Sequence, residues 1–164
     1  MATSNIFQVA EKPRAGRKKA GGNPSERLHE EYRRLAGIRD RGPKALKKAI
    51  ESGISYSAAE ALGEELSLGP DRLAAMLRLS ARTLQRRKEK GRLDPIASDR
   101  AIRLVRIYCL VLELFEGDRD AARAWIKRPN PALEGLPPEE LIATENGASL
   151  VESLVGRLEQ GVFS

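Results

Sequence analysis

The residues of this chain best suited to chemistry lie between Pro70 and Arg92, in PDRLAAMLRLSARTLQRRKEKGR. From Ala81 onward this stretch carries Arg82, Arg86, Arg87, Lys88, Lys90 and Arg92 against a single acid, Glu89. Cations at this density suit a polyanion: the planar guanidinium fork matches phosphate oxygens or the edge of a guanine, and the Gln85 amide matches adenine. Catalysis has no comparable candidate. There is no Gly-rich phosphate loop, no paired Cys and His and no nucleophile motif, and the carboxylates lie in i, i+4 reach of Arg or Lys as surface pairs. One His and one Cys cannot assemble an ordinary zinc site or an internal disulfide, so no metal, no cofactor and no catalytic residue is assigned.

The elements that would position these cations form a helix-turn-helix. Ala74 is the small residue at which two helices cross closely, with Leu73 and Leu77 inward, Leu79 in the turn and Leu84 in the second helix. Ser80 is the N-cap of that second helix, its oxygen able to accept from the backbone N–H of Arg82 or Thr83. Arg82, Thr83, Gln85 and Arg86 then occupy the early outward part of the helix, where base edges are read. Ser80, Arg87, Lys88 and Lys90 are better placed to hold phosphates. A basic amphipathic helix is most often a solvated face, but here the turn, the small residue and the leucine spacing agree. One departure stands out: Arg78 occupies the turn position where glycine is usual, so the turn need not keep the common geometry.

Other elements follow from periodicity. Residues 1–22 contain Lys12, Arg14, Arg17, Lys18 and Lys19 without a hydrophobic period and read as a flexible basic arm, either a solvated tail or an aid to DNA binding. Asn23, Pro24 and Glu26 mark a helix start, with Leu28, Tyr32, Leu35 and Ala36 on one face and His29 opposite. A second short helix runs from Pro43 to Gly53 with Ala45, Leu46, Ala49 and Ile50 inward. A third follows Ser55 to Ser57, with Ala58, Ala61, Leu62 and Leu66 inward and Glu60, Glu64 and Glu65 outward. Asp94 caps a long helix from Pro95 to about Glu116 whose apolar residues crowd more than one face, so it should be central, with buried Cys109 inside it and Ile102 to Phe115 the stretch most suited to pairing with a second copy. A short helix spans Asp118 to Arg128. Pro129 to Pro138 is a shaped turn anchored by Leu133 and Leu136, Glu139 to Ala143 resumes a helical turn or two, and Thr144 to Gly147 breaks again. The last helix, Ala148 to Gln160, places Leu150, Val151, Leu154, Val155 and Leu158 on one stripe.

Composition agrees with an all-α fold: 41% of the 164 residues are hydrophobic and only 4% aromatic, so the cores must be aliphatic. The net charge of +6 is unevenly spread, with 13 basic and 5 acidic side chains in residues 1–48, 9 and 8 in 49–100, and 7 and 10 in 101–164. A basic front suits a polyanion and a mildly acidic back suits a different partner. The longest apolar run, Ile107 to Leu112, is far short of a membrane span, and the polar N-terminus lacks a signal-type apolar region, which points to a cytoplasmic protein with no membrane partner. The resulting division is an arm (1–22), a helix-turn-helix DNA-binding domain (23–94), a central connecting helix (95–117) and a small helical C-terminal domain (118–164).

Four segments together carry a family resemblance: SARTLQRRKEKGRLDPIASDRAIRL, LFEGDRDAARAWIKRPNPALEG, the Pro138 that introduces EELI, and ENGASLVESLVGRLEQGVF. They resemble the Xre/MbcA/ParS antitoxins over roughly residues 45 to 164, most specifically in the series Trp125, Pro129, Asn130, Pro131, Leu133 and Gly135. Glu134 departs from the family where glycine commonly repeats, and Pro137 where a Ser or Thr usually precedes the proline. The resemblance implies a type II antitoxin. Such a protein binds a RES-domain toxin that consumes NAD, obstructs the toxin's cleft with its C-terminal domain, and represses its own operon by binding operator DNA as a homodimer. Carried onto this sequence, the toxin-facing end is Arg157, Glu159, Gln160, Gly161, Val162, Phe163 and Ser164, where an amphipathic last helix could present a wedge to a concave partner. Read without a partner, the same tail is a frayed terminus, and Leu154 and Leu158 are domain core. The main rival is a helix-turn-helix transcriptional regulator of the same build without a toxin partner; a structural interaction module that does not bind DNA comes third.

Overall fold

A computed structural model describes residues 24–39 and 42–161, and among these the chain is all-helical, with nine α-helices and one short 3-10 turn. It divides into two compact units, one ending at Cys109 and the other beginning at Leu110. The basic arm 1–22, the expected cap Asn23, the side chain of Leu28, and Val162, Phe163 and Ser164 lie outside the described residues.

The first unit contains α1 (Pro24–Ala36), α2 (Pro43–Ser52), α3 (Tyr56–Glu65), α4 (Pro70–Met76), α5 (Ala81–Lys90) and the first part of α6 (Pro95–Leu114). Tyr32, Leu35 and Ala36 are buried, and α1 packs on α3. The apolar residues of α2 are only half-buried; none is fully enclosed. Ser55 caps α3 by accepting from the Ala58 N–H, and Ala58, Ala59, Leu62 and Leu66 enter the core.

Glu65 does not face solvent as the helical period predicts. It is 8% exposed: the Tyr108 hydroxyl donates to its Oε1, and Arg34 Nη2 lies 2.6 Å from its Oε2. Arg34 also donates to buried Glu31 at 2.7 Å. Burial works against the Arg34 cation, but bonds to the two carboxylates outweigh it and raise its pKa. Buried carboxylates are tolerated only when paired in this way. The helical period of α3 alone could not anticipate a partner 43 positions away.

The second unit contains α7 (Arg119–Lys127), the 3-10 turn Pro131–Leu133, α8 (Pro138–Leu141) and α9 (Glu145–Gln160). Asp118 caps α7 by accepting from the Asp120 and Ala121 N–H groups. Ala122, Trp125 and Ile126 are buried, with the Trp125 ring 6.4 Å from that of Phe115 at a 55° tilt, a favourable aromatic geometry. In the turn that follows, Asn130 is the hub. Its Oδ1 accepts from the Ala132 N–H, its carbonyl accepts from Leu133 and Gly135, and its N–H donates to Leu136. Leu133 anchors the turn in the core, but Leu136 is 42% exposed and is no anchor. Glu134 takes the left-handed conformation, φ 56°, which glycine adopts without penalty.

The last helix starts three residues earlier than its sequence suggests, because Thr144 caps it through the Gly147 N–H. Gly147 is inside the helix for steric reasons: a Cβ there would lie 2.1 Å from the Leu141 carbonyl oxygen, so α8 and α9 could not approach with any other residue. Val151, Leu154 and Val155 are buried and Leu158 half-buried, while Leu150 is 58% exposed and off the core stripe. No helix among the described residues is long and apolar enough to cross a membrane.

Candidate nucleic-acid interface and partner-binding end

The helix-turn-helix is α4 and α5. Leu73, Ala74 and Met76 are buried on α4 and Leu77 at its C-cap, and Leu84 is the one buried residue of α5. The turn keeps the common geometry even without glycine: Arg78 adopts φ 53°, its N–H donates to the Ala75 carbonyl, and the Leu79 N–H donates to Ala74. Arg100 of α6 closes the turn by donating to the Leu77 carbonyl at 2.9 Å. Ser80 caps α5 as expected, accepting from the Thr83 N–H at 3.1 Å, with the two hydroxyls 2.9 Å apart.

The far end of α5 is held by main-chain bonds. The Tyr56 N–H donates to the Gly91 carbonyl at 2.9 Å and the Leu93 N–H to Ile54 at 3.0 Å. Gly53 permits this approach, since a Cβ there would meet the Leu93 oxygen at 2.1 Å. Asp94 then serves both neighbouring helices. One carboxylate oxygen caps α6 through the Ala97 N–H at 2.9 Å, and the other pairs with Arg87 of α5 at 2.7 Å.

These tethers sort the basic side chains that look alike in sequence. Arg87 is half-buried and turned to Asp94. Lys88 pairs with Glu60 at 3.2 Å and lies over the Tyr56 ring, and the Glu60 hydrogen bond and charge raise its pKa. Arg82, Arg86 and Lys90 are exposed, at i, i+4 and i+8 on α5, with no carboxylate partner among the described residues, and Gln85 is exposed beside them. Like charges at that spacing cost a helix about 0.2–0.5 kcal/mol per pair. The fold leaves that repulsion uncompensated on one face while neutralising Arg87 and Lys88 on the other.

In the second unit, Arg157 and Gln160 are exposed near the end of α9, which Gly161 closes with φ 65°. Exposed Glu159 has its pKa raised, first by partial desolvation and then by the charge of Glu113. Leu136 and Leu150 add two exposed apolar side chains that the sequence assigned to the interior. Pattern alone could not find them, because a leucine beside a core stripe has the same signature as one in it. The apolar residues between Ile102 and Phe115 are mostly buried within the chain itself.

Residues 45–106 match the antitoxin Xre-like helix-turn-helix domain, and residues 110–161 match the antitoxin Xre/MbcA/ParS C-terminal toxin-binding domain. The chain is 34% identical over 120 residues to the antitoxin Xre of Yersinia enterocolitica, covering 73% of this chain and 81% of that one. It is 30% identical over 132 residues to the antitoxin Xre of Photorhabdus laumondii, covering 80% of this chain and 89% of that one. The chain belongs to the Xre antitoxin family. That family comprises regulatory binding proteins and not enzymes. The two family domains meet between residues 106 and 110, inside α6, where the two structural units also divide.

Proposed function

We propose that this Xre-family antitoxin neutralises a RES-domain, NAD-consuming toxin by occluding its active site, and represses its own operon by binding operator DNA as a homodimer in the cytoplasm. The observation that carries the DNA arm is the unpaired row Arg82, Arg86 and Lys90, whose mutual repulsion the negative field of a DNA duplex would relieve. In this reading Arg82, Thr83, Gln85 and Arg86 read base edges, and Ser80 and Lys90 hold phosphates. Arg87 and Lys88 serve chiefly to seat α5, through Asp94 and Glu60, with any phosphate contact secondary. The toxin-facing end is Arg157, Glu159, Gln160, Gly161, Val162, Phe163 and Ser164. Exposed Leu136 and Leu150 suit an apolar contact on the same unit. The homodimer needs a surface other than Ile102 to Phe115, whose apolar side chains are largely spent on the protomer's own core.

Two experiments test the two arms. Co-expression with a RES-type product of the adjacent reading frame should yield a co-purifying pair and restore growth, and deleting Glu159 to Ser164 should abolish protection; full protection by the truncated chain would refute occlusion by the tail. Arg82→Ala with Arg86→Ala should weaken binding to the chain's own promoter on the order of 100-fold in a gel shift, at equal or slightly higher stability because the like-charge repulsion is relieved. Unchanged binding by that double variant would move DNA recognition off α5.

A further inference from the structure

We infer that Arg78, in the turn before α5, is a DNA-phosphate contact in its own right. The inference rests on the DNA-binding reading above and adds a residue outside its recognition helix. Arg78 is exposed and has no carboxylate within ion-pair distance among the described residues, unlike Arg87, Lys88 and Arg103 of the same unit. Its backbone is left-handed, φ 53°, a conformation that disfavours every residue with a Cβ and that glycine adopts without penalty. The chain therefore keeps a long cation where the local backbone favours glycine.

Position decides what that cation can reach. Arg78 lies two residues before the Ser80 cap, at the end of α5 from which base edges are approached. The Leu77 carbonyl just before it is fixed by Arg100 and the Leu79 N–H just after it by Ala74, so the backbone that carries the guanidinium is held on both sides. Among the described residues three other non-glycine residues are left-handed, Ser67, Glu116 and Glu134, and none of them is a cation. A guanidinium at this place extends the unpaired row of Arg82, Arg86 and Lys90 past the helix start, where it meets a phosphate flanking the groove.

The test compares Arg78→Gly and Arg78→Lys with the wild type on a duplex from the chain's own promoter and on an unrelated duplex of equal length, over a salt series. Arg78→Gly should weaken binding to both duplexes about 5- to 10-fold and reduce the salt slope by about 1. It should also raise Tm by roughly 2–4 °C, since the strained residue is gone. Arg78→Lys should restore most of the slope with the wild-type Tm. Arg78→Gly binding with unchanged affinity and slope would overturn the inference and leave the DNA reading standing. Loss of binding together with a fall in Tm would also overturn it, because the side chain would then serve the fold. A wild type that binds neither duplex would refute the DNA reading and this inference with it.

Discussion

The helices α5 and α9 are terminated alike and used differently. Each begins on a hydroxyl that accepts from the backbone N–H three residues on, Ser80 to Thr83 and Thr144 to Gly147, and each ends on a left-handed glycine, Gly91 or Gly161. Between those ends, α5 has ten residues of which Leu84 alone is buried, whereas α9 has sixteen with Gly147, Ala148, Val151, Leu154 and Val155 buried. Capping sets where a helix starts and stops; the face it buries sets whether its surface is left for something else. Helix α5 is seated by one leucine, two ion pairs and a main-chain bridge, so Arg82, Gln85, Arg86 and Lys90 remain available. The terminal helix α9 is largely core, and only its flank and end are free.

The largest effect should come from removing the single buried side chain of α5. Leu84→Ala should cost about 3 kcal/mol in urea unfolding, as a buried leucine does, whereas Leu150→Ala on exposed α9 surface should cost less than about 0.5 kcal/mol. Equal costs would mean that the ion pairs, and not Leu84, seat α5.

The caps come next. Ser80→Ala and Thr144→Ala should each lose about 1 kcal/mol. Hydrogen exchange should show the Ser80 variant opening the first turn of α5 more than the Thr144 variant opens α9, because Gly147 and Ala148 already hold that turn in the core. The reverse order would show that the core contacts of α9 do not reach its first turn.

The smallest effect concerns Glu159. Desolvation first, and the Glu113 charge second, raise its pKa in the folded state, so the folded protein binds this proton more tightly than the unfolded chain. Stability from this group is present below the unfolded pKa and lost as pH rises through the raised folded value. Glu159→Gln should therefore stabilise at pH 7, by no more than about 0.3 kcal/mol because solvent screens an exposed group, and the gain should vanish near pH 4. Destabilisation at pH 7 would assign Glu159 a favourable internal partner.

Features that rest on local bonds are readable in the sequence. Ser80 and Asp94 read correctly as caps because an N-cap is a local bond between a side chain and a backbone group two or three residues away. Ala74, Leu77 and Leu84 read correctly as packing residues because helical spacing alone puts them on the shared face. The four segments of family resemblance also lie where the two family domains match. Periodicity does not place Glu65, Leu136 or Leu150 where the structure has them. Glu65 owes its burial to Tyr108 and Arg34, while the two leucines are excluded from the core by where α9 and the Asn130 turn settle.

The helical order, the caps Ser80 and Asp94, the helix-turn-helix and its positively charged helix follow from bonds and spacings shorter than one or two helical turns, which a linear chain displays. Which cations are available is settled by packing between elements. Arg87 and Lys88 are drawn to carboxylates on other elements, Asp94 and Glu60, while Arg78, Arg82, Arg86 and Lys90 meet none among the described residues. A charge's availability depends on what the fold brings within about 4 Å of it, where an ion pair forms, and that neighbour is set by packing between elements and not by the charge's own place in the chain.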